Sequence, residues 1–429
     1  MSLIHSRWAL TAAAFGATLG CARVNGPSTS RCAFVSNLHQ DEGSVTSFTF
    51  AANGQAQFVA KFVTGSGSTS PGRSAYALAL SPSGKVLAVT HATPATAERV
   101  TLLNVHADAT MSSFHTFVTG DNATRVVWIK EDVLAIRTSG ALRLYRITGL
   151  SIDQFQFQST PGASSGLALS ADKAWLGISH GPLSEVMVYR VLPDGSVYPT
   201  PVMYTGLCSP GSLLFATGPK CLYSTCGFST GNVGLLGFGL DVNSGLWLPL
   251  PGFPFQSPSS SPGSMAESPD GEYLVSLHSS SHLRISAINQ ASGGLTDLGQ
   301  FYSFGNDEGR EIACVGDLVL ATRSSNGSLQ NTGLYSFTWS NGSLVSNGPL
   351  VQTQALGAFR IETWDPPRCY PNCDASTATP ALTANDFQCF INRYASGHAY
   401  ANCDHSTGVP ALTANDFQCF INSYVGGCS

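Results

Sequence analysis

The sequence predicts an all-β protein, a seven-bladed β-propeller, followed by a small α-helical, disulfide-rich C-terminal module. Three observations support this prediction. A turn-and-strand unit recurs at intervals of roughly 40 to 50 residues over most of the chain. Its strands are rich in Val, Ile, Leu, Phe and Tyr, and no long helical periodicity separates them. A second, sharper repeat lies near the C-terminus, where residues 369–429 contain six of the 12 cysteines.

Residues 1–22 have the features of a signal peptide. Arg7 gives a basic start, an apolar run extends from Trp8 to Gly20, and small residues lead to a predicted cleavage point near Ala22. That run is too short for a transmembrane helix, and no later stretch reaches the roughly 20 apolar residues that one needs. We therefore expect a secreted protein, extracellular or associated with a cell surface, without a transmembrane segment. Cysteines in such a compartment favour disulfide bonds.

The propeller is predicted over residues 30–365, which contain the longer repeat. Three copies align without gaps, at Ser81–His91, Ser170–His180 and Ser268–His278. Each copy reads as a turn of the Ser-Pro-Asp-Gly type followed by a strand. Weaker copies occupy Val133–Thr138, Cys221–Cys226 and Leu318–Arg323. These segments account for six blades.

The seventh blade is predicted to be divided between the two ends of the domain. Ala358–Trp364 resembles the first strand of a unit, whereas Cys32–Asn37, Ser44–Phe50 and Gln57–Phe62 supply the other three strands. Joining both ends in one sheet closes the ring and removes exposed strand edges, which otherwise promote aggregation.

The repeated unit resembles the lactonase-type and YVTN-type seven-bladed propellers across roughly residues 30 to 365. The resemblance is carried by the SPDG-type turn and following strand, as at Ser268–His278, and by Phe34-Val-Ser-Asn37. It implies the propeller fold. The family includes hydrolases of sugar-acid lactones, a muconate-lactonising relative and many exported propellers without a known reaction, so the resemblance alone leaves activity open.

Aligning the units identifies one equivalent position at the end of each second strand. Its occupants are Asn37, His91, Thr138, His180, Cys226, His278 and Arg323. In a functional interpretation, His91, His180, His278 and Arg323 are the candidate catalytic residues, since imidazole can act as a base and guanidinium can hold a carboxylate. In the alternative, each side chain merely bonds the backbone of its own turn, and duplication has copied this task around the ring. The carboxylates of Asp132, Glu267, Glu308 and Glu311 are expected to be solvated in loops.

The C-terminal module is predicted over residues 369–429 as two copies of one unit. Asn372–Asn392 recurs 30 residues later as Asn402–Asn422. Phe387, Phe390, Ile391 and Tyr394, like Phe417, Phe420, Ile421 and Tyr424, follow the spacing of one helix face. Cys373 and Cys389, and likewise Cys403 and Cys419, are 16 residues apart. Equivalent disulfides in the two copies are therefore expected, with Cys369 and Cys428 left to tie the ends.

This paired loop-and-helix layout resembles the cysteine-rich tandem dockerin. The resemblance implies calcium in each loop and a cohesin-like protein or cell-surface anchor as partner. Oxygen ligands suited to calcium are available in both copies, at Asp374, Ser376, Asp386, Asp404, Ser406 and Asp416. Each loop is one residue longer than an EF-hand loop and lacks its central glycine, so the alternative is a disulfide-held pair of helices in which Asp386 and Asp416 act as caps.

Two functional hypotheses follow from the sequence, and a third possibility treats the C-terminal module as a sorting signal that is removed during export. The first is an exported propeller that binds a small molecule or glycan and is tethered through a calcium-binding dockerin-like module. The second is a lactonase-like hydrolase with its site in the central channel. A formal net charge of -5 without a basic cluster disfavours nucleic-acid binding.

Overall fold

A computed structural model describes most of the predicted propeller and the helices of the C-terminal module. The described residues are 31–38, 43–64, 75–91, 99–160, 166–205, 208–218, 220–227, 234–241, 243–256, 262–278, 282–304, 308–324, 329–365, 373, 382–395, 401, 403 and 412–426. The predicted signal peptide lies outside them. No described helix is long and apolar enough to cross a membrane.

The described strands form seven antiparallel sheets, each with four principal strands, which confirms the seven-bladed propeller. Blade 1 contains β30 (Ala358–Trp364), β1 (Cys32–Leu38), β2 (Gly43–Phe50) and β3 (Ala56–Val63). Blade 2 contains β4 (Ala75–Leu80), β5 (Val86–His91), β6 (Arg99–Val105) and β7 (Met111–Val118). Blade 3 contains β8 (Ala123–Lys130), β9 (Val133–Thr138), β10 (Ala141–Thr148) and β11 (Ser151–Ser159).

The remaining blades repeat this order from the inner to the outer strand. Blade 4 contains β12 (Gly166–Leu169), β13 (Trp175–His180), β14 (Glu185–Arg190) and β15 (Val202–Thr205). Blade 5 contains β16 (Ser209–Phe215), β17 (Cys221–Gly227), β18 (Gly234–Asp241), β19 (Leu246–Pro249) and β20 (Phe255–Gln256). Blade 6 contains β21 (Pro262–Glu267), β22 (Tyr273–His278), β23 (His282–Ile288) and β24 (Leu295–Ser303). Blade 7 contains β25 (Glu308–Val315), β26 (Leu318–Ser324), β27 (Gly333–Ser340), β28 (Ser343–Ser346) and β29 (Val351–Gln352), with a 3-10 turn at Leu329–Asn331.

The two ends of the domain meet in blade 1, as predicted. Strand β1 pairs antiparallel with β30, so that Cys32 lies opposite Trp364 and Val35 opposite Ile361. This pairing gives the first and last strands of the domain a partner and closes the ring.

The turn between the first and second strands explains why the repeat is recognisable in the sequence. In blade 4, the Ser170 hydroxyl donates to Oδ1 of Asp172 at 2.6 Å, and the same oxygen accepts from the Ala174 amide at 3.0 Å. Gly271 takes a positive φ of 74° at the corresponding turn of blade 6. Because these bonds are local, the turn leaves a short, fixed signature in every strong copy.

The hydrophobic core lies in the seams between blades. Between blades 2 and 3, for example, Val100 and Leu102 pack in one buried cluster with Leu134 and Ile136. Apolar side chains on both faces of each sheet explain the near-continuous apolar runs of the second strands, since each blade is covered by its two neighbours.

The C-terminal module contains α1 (Ala384–Ala395) and α2 (Ala414–Gly426). Their apolar faces pack together, with the rings of Phe390 and Phe420 stacked 3.9 Å apart between centroids. The predicted disulfides Cys373–Cys389 and Cys403–Cys419 are both present. This confirms a small helical, disulfide-rich module.

Candidate functional site

The inner strands of the seven blades surround a channel that holds a cavity of about 270 Å³. Polar atoms supply most of its exposed wall, beside apolar side chains such as Leu78, Val126 and Leu213. Four ionisable side chains also line it, namely Arg125, Glu311, Arg360 and Glu362. They come from β8, β25 and β30, so the ring of blades brings together residues that are distant in sequence.

Glu311 and Arg360 form an ion pair in this wall. Nη1 of Arg360 donates to Oε1 of Glu311 at 2.6 Å, and the Ile361 amide donates to Oε2 at 2.8 Å. Both side chains are largely buried, at 18% and 14% exposure. The expectation that Glu311 is solvated in a loop was therefore wrong, because its strand is an inner strand and the side chain meets the next blade.

The expectation that Glu267 is solvated in a loop was also wrong. It is the last residue of β21, and both of its carboxylate oxygens accept from the Thr217 amide of the neighbouring blade, at 2.9 and 3.0 Å. Burial raises its pKa, although the hydrogen bonds from Thr217 oppose that shift. Its position at a blade seam gives it a structural contact that sequence analysis of one unit does not reveal.

Tyr76 lies between the two arginines of the channel. Its ring packs against Phe359 with a centroid distance of 5.1 Å, and Cζ of Arg125 lies 5.4 Å from the ring centroid. Burial raises the pKa of Tyr76, but the charges and hydrogen bonds of Arg125 and Arg360 outweigh burial and lower that pKa overall. Tyr76 thus connects the positive charges of blades 1 and 3.

Burial and the charge of Arg360 lower the pKa of Arg125 to about 10. The guanidinium is still charged at neutral pH. Its Nη1 donates to the carbonyl oxygen of Thr124 at 2.8 Å, which holds the side chain near the start of its own strand. Arg125 therefore presents a fixed cation to the channel.

Glu362 has a very different environment from Glu311. Burial, reinforced by the negative charge of Glu311, raises the pKa of Glu362 to about 8, while a hydrogen bond from the Leu80 backbone opposes the shift. The carboxyl is consequently protonated in most molecules at pH 7. A cavity carboxyl whose pKa lies near neutral pH is typical of acid–base sites.

These charges favour an anionic or carbonyl ligand. At neutral pH the cavity contains two guanidinium cations, one carboxylate in Glu311 and a largely neutral Glu362, which leaves a positive balance. Guanidinium groups bind carboxylates and stabilise developing oxyanions. A carboxyl with a pKa near the working pH can exchange protons with a reacting group.

The ring of equivalent positions predicted from the repeat is present at the ends of the second strands, but its members bond within their own blades. His91 Nε2 lies 3.0 Å from Thr101 Oγ1, His278 Nε2 lies 2.8 Å from Ser276 Oγ, and Arg323 Nη1 donates to the Tyr335 hydroxyl at 3.0 Å. The other three members also bond locally. The Asn37 side chain bonds to Ser44, the Thr138 hydroxyl donates to the Ala141 carbonyl, and Cys226 forms a disulfide with Cys208.

His180 is the exception. It is fully buried, and neither ring nitrogen has a hydrogen-bond partner among the described residues. Burial and the nearby charge of Arg137 lower its pKa, and Glu185 acts in the opposite direction. No three His, Cys, Asp or Glu side chains within the described ranges are placed to hold one metal ion.

The predicted calcium ligands are only partly within the described residues. Asp374, Ser376, Asp404 and Ser406 lie outside them. Asp386 and Asp416 are buried and cap their helices, because Oδ2 of each accepts from the backbone amide of Thr383 or Thr413, at 2.8 and 2.7 Å. This is the reciprocal contact of a capping box, with aspartate at its third helical position.

The sequence did contain a signal for the channel site that the repeat analysis missed. The first strands of three blades contain the charged residues Arg125, Glu311, Arg360 and Glu362 beside apolar ones. In a propeller, the first strand of each blade lines the channel, so a charge there faces the channel or an adjacent blade. The repeat pattern is instead strongest in the second strands, where the candidate residues were predicted.

Comparison with known proteins supports the fold. No protein-family profile and no curated protein sequence matches the chain. Among solved structures, the periplasmic gluconolactonase PpgL of Pseudomonas aeruginosa is 18% identical, with a TM-score of 0.61, over 79% of this chain and 99% of its own. A proposed 6-phosphogluconolactonase from Bacteroides fragilis is 14% identical, with a TM-score of 0.64, over 79% of this chain and 100% of its own.

A third similar structure belongs to a functionally unknown protein from Desulfotomaculum acetoxidans. It is 14% identical, with a TM-score of 0.57, and the alignment covers 79% of this chain and 100% of that one. At these identities the likeness establishes the seven-bladed architecture and no activity.

Proposed function

We propose that the propeller hydrolyses a small lactone in its central channel. The observation that carries the proposal is the placement of Arg125, Arg360 and Glu362 around one cavity, with the pKa of Glu362 near 8. The periplasmic gluconolactonase of Pseudomonas aeruginosa has the same architecture, which adds support.

The chemistry of ring opening uses these groups in defined roles. The ionised form of Glu362 takes a proton from water, and the water oxygen forms a bond to the lactone carbonyl carbon. Arg125 or Arg360 stabilises the resulting oxyanion. The ring C–O bond then breaks, and the leaving oxygen takes the proton back from Glu362. The carboxylic acid that forms releases its own proton to solvent, and the guanidinium groups hold the product carboxylate. The balance is the addition of one water molecule.

A direct test is the hydrolysis of glucono-1,5-lactone, γ-butyrolactone and dihydrocoumarin by the purified full-length protein, followed as acid release. Turnover above the spontaneous rate in buffer supports the proposal. If no lactone is turned over while gluconate binds in the channel, the site is a binding site and the first hypothesis from the sequence is favoured.

We further propose that the C-terminal module tethers the propeller to a cohesin-like partner or a cell-surface anchor and binds calcium. The supporting observation is that both copies reproduce the same disulfide and the same helix after a loop rich in oxygen ligands. Calorimetric titration of the oxidised protein with calcium tests this. Two ions per chain, reduced to one by Asp374→Asn or Asp404→Asn, are expected; a chain that binds none is a disulfide-built pair of helices without metal.

A further inference from the structure

A second cavity, of about 260 Å³, lies in the seam between blades 4 and 5. It is at the end of the propeller formed by the turns between first and second strands, since Asp172 and Thr217 belong to those turns. Arg125 and Arg360 occupy the third positions of their first strands and so lie toward the opposite end. The cavity is therefore separate from the channel site.

Three aromatic side chains, Trp175, Phe215 and Trp247, form part of the wall of this cavity. Trp247 packs edge-on against Trp175 and Phe215, with centroid distances of 5.8 and 5.4 Å. Asp172 and Lys220, both exposed, lie at its rim with opposite charges. Such a wall suits a ligand that is neutral overall and has an apolar face.

Trp247 also has an unused hydrogen-bond donor. The residue is only 2% exposed, and its Nε1 has no acceptor among the described residues. A buried N–H without an acceptor is costly, and in native proteins it commonly marks a place where water or a ligand binds.

The seam between blades 6 and 7 contains the same residue types, but there the tryptophan and the aspartate are directly hydrogen-bonded. Tyr273 and Asp270 occupy the repeat positions of Trp175 and Asp172, and Trp339 packs against Tyr273 as Trp247 packs against Trp175. In that seam the indole Nε1 of Trp339 donates directly to Oδ2 of Asp270 at 2.7 Å.

Between blades 4 and 5 this direct bond is absent. Oδ1 of Asp172 accepts hydrogen bonds from residues of its own turn, just as Oδ1 of Asp270 does. Oδ2 of Asp172, however, makes no hydrogen bond within the described part of the chain. The residues that carry this donor and this acceptor, Trp247 and Asp172, instead both line the cavity.

We propose that this cavity binds a single neutral pyranose sugar. A sugar hydroxyl can accept from the Trp247 indole and another can donate to the Asp172 carboxylate, while the C–H face of the ring packs against the aromatic wall. The volume is below the range of about 300 to 1,000 Å³ that is usual for drug-sized ligands, which fits one sugar ring.

The test is a titration of the full-length protein with methyl β-D-glucopyranoside, methyl β-D-galactopyranoside and methyl α-D-mannopyranoside, followed by ligand-detected NMR and tryptophan fluorescence. Saturable binding of at least one glycoside is expected. Trp247→Phe keeps the ring but removes the donor, and Asp172→Asn keeps the Oδ1 acceptor of the turn but removes the charge. Each variant should weaken binding roughly tenfold.

Trp339→Phe and Asp270→Asn are the matched controls, because they make the same changes in the closed seam. They should alter sugar binding by less than about twofold. Absence of saturable binding for all three glycosides overturns the proposal, as does binding that Trp247→Phe and Asp172→Asn leave unchanged. If Trp247→Phe fails to fold, Asp172→Asn, on an exposed turn, decides the question alone.

Discussion

The Arg360 guanidinium donates to the Glu311 carboxylate at 2.6 Å and thereby joins the inner strands of the last and first blades. Glu311 also accepts from the Ile361 amide, so one carboxylate secures two donors of the neighbouring blade. The contact lies at the seam where the propeller closes. It stabilises the ring and at the same time fixes one of the two channel cations.

Glu311→Gln is expected to lower the free energy of unfolding by about 2 to 3 kcal/mol, because it leaves a largely buried guanidinium without its counter-charge. Urea unfolding measures the change. Asp132→Asn is the matched control, since Asp132 pairs with Arg146 at 3.6 Å where both side chains are at least 42% exposed; it should cost less than about 0.5 kcal/mol. Equal effects of the two substitutions would show that the closing contact contributes no more than a surface pair.

Glu362 should make stability depend on pH. The pKa of a free glutamate is 4.5 and that of folded Glu362 is about 8, so between these values the folded state holds a proton that the unfolded state has released. Stability therefore falls as pH rises through this window, by up to about 1.4 kcal/mol per pH unit, and levels off above pH 8. Glu362→Gln removes this dependence.

The measurement is urea unfolding of wild type and Glu362→Gln at several values from pH 5 to pH 9. Their difference in unfolding free energy should shift in favour of the variant as the pH rises. Glu272→Gln, which changes an exposed residue, should run parallel to wild type. Parallel curves for wild type and Glu362→Gln would mean that Glu362 is already ionised at pH 5.

If the channel hydrolyses lactones, substitutions of Arg125 and Arg323 should have very different effects on kcat/KM. Arg125 lines the channel cavity, whereas Arg323 bonds to Tyr335 in its own blade. Arg125→Met should lower kcat/KM by about 10²-fold or more, since it removes a cation that stabilises the oxyanion. Arg323→Met should change it by less than about threefold. The reverse order would move the reaction to the ring of second-strand residues.

The blades could be predicted from the sequence because the turn and strand of each blade are determined by residues that are close together in the chain. Each strong copy contains a turn in which a Ser hydroxyl bonds the side chain two residues on, as Ser170 bonds Asp172, followed by an apolar strand. The split blade followed from counting, since six units left one strand at the C-terminal end and three at the N-terminal end. Disulfide pairing in the C-terminal module followed from the equal spacing of two copies.

The channel site could not be predicted in the same way, because it depends on how the ring places distant strands. Glu311 and Arg360 are 49 residues apart and meet only after blade 7 packs against blade 1. The ring of second-strand residues, by contrast, was found because the same position recurs in every blade. A recurring position indicates a structural role that all the blades share. His91 and Arg323 illustrate this, since both bond to side chains on the next strand of the same blade.

The two tryptophans of the blade seams allow a paired stability measurement. Trp339→Phe breaks the indole bond to Asp270, whereas Trp247→Phe removes a donor that has no acceptor in the described structure. Both substitutions remove the same ring volume, so the difference between them reports the hydrogen bond. Trp339→Phe should be less stable than Trp247→Phe by about 1 to 2 kcal/mol in the absence of sugar. Equal losses would indicate that the Trp247 indole also has a partner in solution.

The disulfides of the C-terminal module should contribute equally to its helices. Each closes a segment with a sequence separation of 16, for which loop-closure entropy predicts about 3 kcal/mol. The cluster that they support is small, built around Phe390 and Phe420, so this contribution is a large share of the stability of the module.

We therefore expect Cys373→Ser/Cys389→Ser and Cys403→Ser/Cys419→Ser to melt the helical circular-dichroism signal at similarly reduced temperatures, because α1 and α2 account for the α-helix of the described residues. Cys208→Ser/Cys226→Ser is the control: it opens a disulfide between two strands of blade 5 and should leave the helical transition in place. If the first two variants melt like wild type, the stacked phenylalanines hold the helices without the disulfides. If only one of them melts early, the two copies are unequal in energy despite their matching sequence.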